Sequence, residues 1–352
     1  MNLKMNQMPF KTLLAALVAG AALSTQGFAE TNTPVSTPIV GFQTITIVPG
    51  LNVIGPSLLN SDLLKGSVST ASESTLSVSG QTNIGSQLVA NEPYYIEVYS
   101  GSEKGARFEV NEASTISAAN DSIILDSASG FNSRSLTIAS LQGATVALRK
   151  HFTLEQLQNS RVSGSGNWVG NNTPASADQI LLLDPRTQSY TTYNLRTDGV
   201  TWRGSLTGTT SQNKAPIPPG FGVIVVKRTS GLSLTVTGSV RQNDFDQRYF
   251  AGLQLLAPAI PSDLSPAGLG ASAANGWTGN NNSVSADTIQ VFNPTTQSYT
   301  TYNLRSDGTT WRGSLTGTTP QTSNNIIPSD RGYIVKRATA DSSTTLVNPI
   351  SN

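Results

Sequence analysis

The chain has 352 residues and a formal net charge of +1, and only 12% of its residues are charged. An ordinary globular protein has about 25% charged residues, so neutral hydroxyl and amide groups supply most of the polarity here. The lack of a basic excess argues against nucleic acid as a partner, and the absence of cysteine excludes disulfides and thiolate metal sites.

Residues 1–29 have the pattern of a secretory signal peptide. Lys4 and Lys11 form a charged start, residues 12–23 an apolar run, and Gly27-Phe28-Ala29 a cleavage site, so the exported chain should begin at Glu30. The apolar run is shorter than the roughly 20 residues needed to cross a bilayer. We therefore expect export to the periplasm, cell surface or exterior, with no transmembrane helix once the leader is removed.

Residues 30–150 are expected to form an N-terminal β unit. The sequence GLNVIGPSLL at residues 50–59 is similar to GLQLLAPAIP at residues 252–261, which suggests a divergent first unit before two closer ones. On this interpretation, residues 84–112 correspond loosely to a strand of the later units. The apolar stretch from Ile45 to Val48 is the candidate edge for strand addition by another chain.

One short helix is expected at the start of the next unit. Thr153 and Gln156 have the spacing of a capping box, and Leu154 and Leu157 follow at helical intervals. The rest of the chain consists of short runs separated by Gly, Pro, Asn and Ser, which is typical of β-sandwiches and barrels.

An internal repeat is the strongest feature of the sequence. Residues 168–208 and 277–317 align without gaps at an offset of 109, with about 29 of 41 positions identical. The similarity continues more loosely from residues 217–228 to residues 326–337. The two repeat units are assigned to residues 151–240 and 241–352.

Each repeat contains the pattern of a hairpin. Residues 188–195 and 297–304 are rich in Tyr and Thr and lead into Asp198-Gly199 and Asp307-Gly308, where return strands begin at Trp202 and Trp311. Further strands are predicted at residues 180–183, 223–227, 289–292 and 333–336. The predicted fold class is all-β, with tandem antiparallel β-sandwich or barrel-like units and internal duplication.

The order of several motifs gives a family resemblance. IVGFQTITI, GLNVIGPSLL, EPYYIEVYSGSEKGARFEV, GATVALRKHFTLEQL, the SAD strand, the YTTYNL hairpin and a GYIVKR-type strand follow one another from about Ile39 to Arg337. In this order they resemble a paralogous group of exported, functionally uncharacterised proteins of Verrucomicrobia-type bacteria. The opening Thr37-Pro38-Ile39-Val40 departs from the DPVGF-like start common in that group. The resemblance implies export and paralogy, and it supplies no catalytic residues.

Catalytic chemistry has little support in the residues themselves. His151 is the only histidine, and no GxSxG motif accompanies it. Paired carboxylates could still hydrolyse glycosides, but Asp184 is replaced by Asn293 in the second repeat. We expect Asp178, Asp198 and their counterparts to bind backbone amides of turns. Calcium in the asparagine loops at residues 170–172 and 279–282 is an alternative, although no established calcium motif is present. No catalytic residue, metal or cofactor is therefore assigned.

Duplicated aromatic residues give the candidate ligand site. Each repeat carries two tryptophans and two tyrosines, with an arginine after the second tryptophan: Trp168, Tyr190, Tyr193, Trp202 and Arg203, then Trp277, Tyr299, Tyr302, Trp311 and Arg312. Hairpin packing explains them best, but exposed rings could stack on sugars. The candidate ligand residues are Trp202, Arg203, Trp311 and Arg312, which requires both tryptophans to be exposed.

These observations favour an exported, non-enzymatic structural or interaction protein of the bacterial envelope or exterior. Its expected partners are further copies of itself or other envelope components. A glycan-binding module that uses the duplicated hairpins against a polysaccharide is the alternative.

Overall fold

The computed structural model describes residues 39–117, 121–135, 137–204, 209–313, 318–339 and 341–348, and the predicted leader lies outside them. All its sheets are antiparallel, and strands far outnumber short helices, which confirms the all-β class. The strands are β1 Val40–Ile47, β2 Gly50–Ile54, β3 Asp62–Ser72, β4 Thr75–Val78, β5 Tyr94–Val98, β6 Arg107–Glu109, β7 Ser122–Ile124, β8 Thr145–Lys150, β9 Phe152–Thr153, β10 Gln179–Asp184, β11 Ser189–Leu195, β12 Trp202–Gly204, β13 Pro216–Ile217, β14 Val223–Lys227, β15 Leu232–Ser239, β16 Phe245–Tyr249, β17 Gly252–Leu256, β18 Thr288–Asn293, β19 Ser298–Leu304, β20 Trp311–Gly313, β21 Tyr333–Arg337 and β22 Ser342–Leu346. The α-helices are α1 Ile84–Gln87, α2 Glu112–Ser117 and α3 Leu154–Asn159, and 3₁₀ turns lie at Ile138–Leu141, Pro174–Ser176 and Ala273–Asn275.

The first repeat forms a β-sandwich. A five-stranded sheet in the order β12-β11-β10-β14-β2 packs against the two-stranded ribbon of β1 and β15. Alternate residues of β1 point inward, so Ile45 and Ile47 are buried while Thr44 and Thr46 are exposed. The predicted helix is present as α3, and Thr153 and Gln156 form the predicted capping box.

The second repeat has the same architecture. Its sheet runs β17-β21-β18-β19-β20, and its ribbon is formed by β16 and β22. The predicted hairpin strands are confirmed in both repeats, and Gly199 and Gly308 take the positive φ angles, 71° and 72°, that their turns require. Trp202 and Trp311 lie opposite Leu195 and Leu304 on the preceding strands.

A third sheet interrupts the first sandwich. Strands β3 to β8 form a six-stranded sheet in the order β6-β5-β8-β3-β4-β7, with its own apolar core. A bridge between Val110 and Leu125 links the ends of its two outer strands and curls the sheet. We call this segment, from β3 to β8, the insert.

The strand pairing places the unit boundaries differently from the sequence. Strands β1 and β2 precede residue 150, yet they pair with β15 and β14 of the first repeat. The similarity between residues 50–59 and 252–261 therefore marks equivalent strands of the two sandwiches, not a divergent third unit. Gly50 and Gly252 are 202 residues apart, whereas the hairpins are offset by 109, because the insert lies between β2 and β10 of the first sandwich alone.

The looser part of the repeat alignment, which joins residues 217–228 to residues 326–337, is also shifted by one residue. Val225 and Val335 both pair with the central strands of their sheets, opposite Ile180 and Ile289. Lys227 therefore corresponds to Arg337, not to Lys336. The second repeat accommodates one extra residue in the connection before β21.

The two sandwiches pack against each other about a pseudo-two-fold axis. Val53, Leu183, Leu255, Phe292 and Ile334 form an apolar cluster between their sheets. On either side of this cluster, a glutamine at the turn of one sandwich reaches the first residues of a strand in the other.

Candidate functional site

The tryptophans proposed as a sugar platform are buried. Trp202 and Trp311 are both 0% exposed. Trp202 Nε1 donates to Gln158 Oε1 at 2.7 Å, and Trp311 Nε1 donates to the backbone oxygen of Ala271 at 2.7 Å. Strands β12 and β20 turn these rings into the sandwich cores because an apolar ring gains more there than on the surface. The expectation that Trp202 and Trp311 are exposed for glycan stacking is therefore wrong.

The arginines beside them face the other way. Arg203 and Arg312 follow the tryptophans directly, and successive strand residues point to opposite sides of a sheet. Both arginines are half-buried, and within the described residues their Nε atoms have no hydrogen-bond partner. The four candidate ligand residues therefore do not form one surface.

The tyrosines divide between the two faces, as their spacing predicts. Tyr193 and Tyr302 pack against the cores of their sandwiches. Tyr190 and Tyr299 are 44% and 42% exposed on the opposite face. Tyr299 contacts Phe292 with a ring-centroid distance of 4.8 Å.

A surface cavity of about 480 Å³ lies beside the buried tryptophan of the first repeat. We call it the Trp168 cavity, and its walls are formed by Gln158, Asn159, Arg161, Asn167, Trp168 and Gly199. Trp168 is half-buried and meets Trp202 edge-on, with 5.6 Å between ring centroids and an interplanar angle of 86°.

A second cavity, of about 500 Å³, lies where the insert meets both sandwiches. It is rich in arginine, but Arg134 is paired with Glu103 and Asp246, and Arg248 with Asp341. Among the described residues of its wall, Asp341 is the single carboxylate, so this wall offers no pair of acids for glycoside hydrolysis.

The aspartates of the SAD motif form buried ion pairs. Asp178 accepts the backbone N–H of Val169 at 2.7 Å and that of Arg228 at 2.8 Å, and Lys227 Nζ lies 2.8 Å from its Oδ2. Asp287 makes the equivalent contacts with Thr278 and Ala338, and Arg337 replaces the lysine. The predicted amide contacts are confirmed, but the cations were not foreseen because they lie about 50 residues away in the sequence.

The turn aspartates and the loop asparagines, which were candidates for catalysis or calcium binding, form local hydrogen bonds to the backbone. Asp198 and Asp307 accept backbone N–H groups of their own turns at 2.8–2.9 Å. Hydrogen bonds from Thr310 and Thr309 lower the pKa of Asp307 to about 2. In the asparagine loops, Asn171 and Asn280 likewise bond amides two residues onward.

A buried ionic cluster joins the insert to the connection between the repeats. Glu97 is 0% exposed and contacts both Arg149, at 3.2 Å, and Arg241. Burial lowers the pKa of Arg107 and of Arg241 to about 10, and both guanidinium groups lie over the ring of Phe245.

The single histidine belongs to the same region. His151 is buried, with Nε2 2.6 Å from Glu109 Oε2 and its ring 4.6 Å from that of Tyr95. Within the described residues, no group of three or more acidic or histidine side chains could hold a metal ion.

Strand β1 has one open edge. Thr235 of β15 donates its N–H to Ser160 at 2.7 Å, away from β1, so the peptide groups of Thr44 opposite it also point away from β15. By the same alternation, Val40, Phe42 and Thr46 point their N–H and C=O groups outward. In the part of the chain that is described, no strand pairs with this edge.

The equivalent edge of the second sandwich is covered. Asp246 of β16 corresponds to Thr44 at the offset of 202, and its N–H donates to Gly105 of the insert at 3.0 Å. Asp246 is 1% exposed, whereas Val40 and Phe42 on β1 are 70% and 76% exposed. The expected edge at Ile45 to Val48 thus falls on the second half of an open strand that begins at Val40.

No family model, curated protein or solved structure matches the chain. No helix among the described residues is long and apolar enough to span a membrane.

Proposed function

We propose that this is an exported, non-enzymatic protein that assembles by pairing the open edge of β1 with a second copy of the chain. The support is the contrast between Thr44 and Asp246, equivalent positions of which, among the residues that the structure describes, only the second is covered by another segment of the chain. Unpaired N–H and C=O groups on an edge strand are a template for another strand.

The composition of β1 favours a second copy as the partner. Natural edge strands are commonly protected by charge, proline or a bulge, and β1, with the sequence VGFQTITI, has none of these. Antiparallel pairing centred on Thr44 would place two threonines opposite each other and Phe42 opposite Thr46. Cross-strand pairs of this kind stabilise a sheet by roughly 0.2–1 kcal/mol each.

Light scattering after size exclusion tests this proposal on the purified protein, whose N-terminus is first determined by mass spectrometry. A start at Glu30 is expected if the leader is removed on export. The parent should have twice the mass of one chain. Thr44→Pro should be monomeric, because proline lacks the outward N–H and leaves the β15 ladder intact.

Thr44→Ser is the matched control, since it retains the N–H and should remain dimeric. Phe42→Lys is a second disrupting variant that changes no backbone group. Circular dichroism must show the same fold for all variants. A parent that stays monomeric up to about 100 μM, or an assembly that Thr44→Pro and Phe42→Lys both leave intact, overturns the proposal.

A further inference from the structure

We propose that the Trp168 cavity binds a pyranose ring of a saccharide. Its volume of about 480 Å³ lies within the roughly 300–1,000 Å³ typical of small-molecule sites. The proposal is independent of the β1 edge and replaces the buried hairpin tryptophans with a different aromatic residue.

The indole of Trp168 is available and already held in place. Of the four tryptophans it alone is half-buried, since Trp202, Trp277 and Trp311 are at most 2% exposed. Its edge-on contact with Trp202 and a hydrogen bond of 3.3 Å from its Nε1 to the Gln158 backbone oxygen fix the ring. A ring that is already fixed loses little entropy on binding, and the polar groups around it supply most of the contacts that a sugar needs.

Amides and a guanidinium surround this ring. The side chains of Asn159 and Asn167 are exposed, and no hydrogen bond within the described residues engages their amides. An amide offers a donor and an acceptor side by side, which matches neighbouring hydroxyls of a pyranose. Arg161 uses Nη1 to hold Gly166 at 2.9 Å, which leaves other N–H groups for a hydroxyl or a carboxylate.

The second repeat shows what closes such a cavity. Trp277, the counterpart of Trp168, is covered by Tyr249, whose ring lies 4.9 Å away, and by the guanidinium of Arg337 at 4.8 Å. In the first repeat the last turn of α3 supplies Gln158 and Asn159 instead. The two repeats can therefore be compared directly, because Trp277 is buried whereas its counterpart Trp168 is partly accessible.

Isothermal titration and tryptophan fluorescence would test the purified protein with cellotetraose, chitotetraose, mannotetraose and tetragalacturonate. At least one sugar should bind saturably, with a Kd between roughly 10 μM and 1 mM. Trp168→Ala should weaken binding at least tenfold, and Asn167→Ala, at an exposed position, should weaken it severalfold. Trp277→Phe should leave it unchanged.

Tetragalacturonate, the acidic sugar of the four, shows whether the cavity prefers a pyranose that carries a carboxylate. Preference for tetragalacturonate that Arg161→Gln abolishes would show that Arg161 binds a carboxylate, whereas equal binding of neutral sugars would assign recognition to Trp168 and the amides. No saturable binding of any of the four sugars at about 10 mM overturns the proposal. So does binding that folded Trp168→Ala and Asn167→Ala both retain. The solution mass is a separate measurement, so failure of either proposal leaves the other standing.

Discussion

Gly55 and Ala257 occupy equivalent positions in the two repeats and face each other across the pseudo-two-fold axis. A Cβ atom on Gly55 would overlap the Cβ of Ala257. The space between the two backbones therefore holds only one methyl group, which explains why one repeat has glycine and the other alanine at this position.

Gly55→Ala should destabilise the protein by about 1–3 kcal/mol, because it adds a methyl group where there is no space. Combining it with Ala257→Gly moves the methyl group to the other side and should restore most of the loss. Urea unfolding of the parent, the single variant and the double variant measures both effects. Equal stability of Gly55→Ala and the parent would contradict the close approach of the two sandwiches.

Loss of the cation beside Asp178 should be costly. Lys227→Met leaves a fully buried carboxylate without its cation, and breaking a buried ion pair costs about 3–5 kcal/mol. Lys227→Arg is the matched control, since Arg337 performs this role in the second repeat. Chemical denaturation should show a smaller loss for arginine than for methionine, and equal losses would mean that the charge is unimportant.

The two glutamines between the sandwiches should contribute equally. Gln188 accepts the Leu253 N–H at 2.7 Å and donates to its oxygen at 2.9 Å, while Gln297 makes the same contacts with Leu51 at 2.8 and 3.0 Å. Gln188→Ala and Gln297→Ala should each cost about 1–2 kcal/mol, at roughly 1 kcal/mol for each hydrogen bond. Thermal unfolding compares the pair, and a large loss at only one position would contradict the pseudo-symmetry.

Alkaline pH should unfold the protein through its buried tyrosines. Burial raises the pKa of Tyr95, Tyr249 and Tyr333 above the usual value of about 10. Because the folded state holds these protons more tightly, stability is unaffected below about pH 10 and falls as the pH rises further. The ultraviolet absorbance of phenolate should therefore rise together with the loss of circular dichroism, whereas chain denatured in urea should titrate near pH 10. Ionisation of all tyrosines before unfolding would contradict their burial.

Local patterns predicted the hairpins and the helix because the residues that decide them are adjacent. The Asp-Gly turns and the Thr153 capping box need only neighbours within a few positions. Burial of Trp202 and the pairing of β2 with β14 depend on residues far away in the sequence, and periodicity carries no information about these. The sequence around Glu97 did not indicate a buried ion pair, because its partners Arg149 and Arg241 are distant in the sequence and come close only in the folded chain. Trp168 was part of the aromatic set, but its accessibility depends on the end of α3.

The insert also determines when each sandwich can form. Asn52 on β2 pairs with Val225 on β14, 173 residues later, so the first sheet cannot be completed until the whole insert has been synthesised. The second sandwich is continuous from β16 to β22, so Gln254 on β17 pairs with Val335 on β21 after a much shorter stretch of chain. Until β14 and β15 have been synthesised, β2 and β1 lack the strands with which they pair, and their backbone groups are left without those partners.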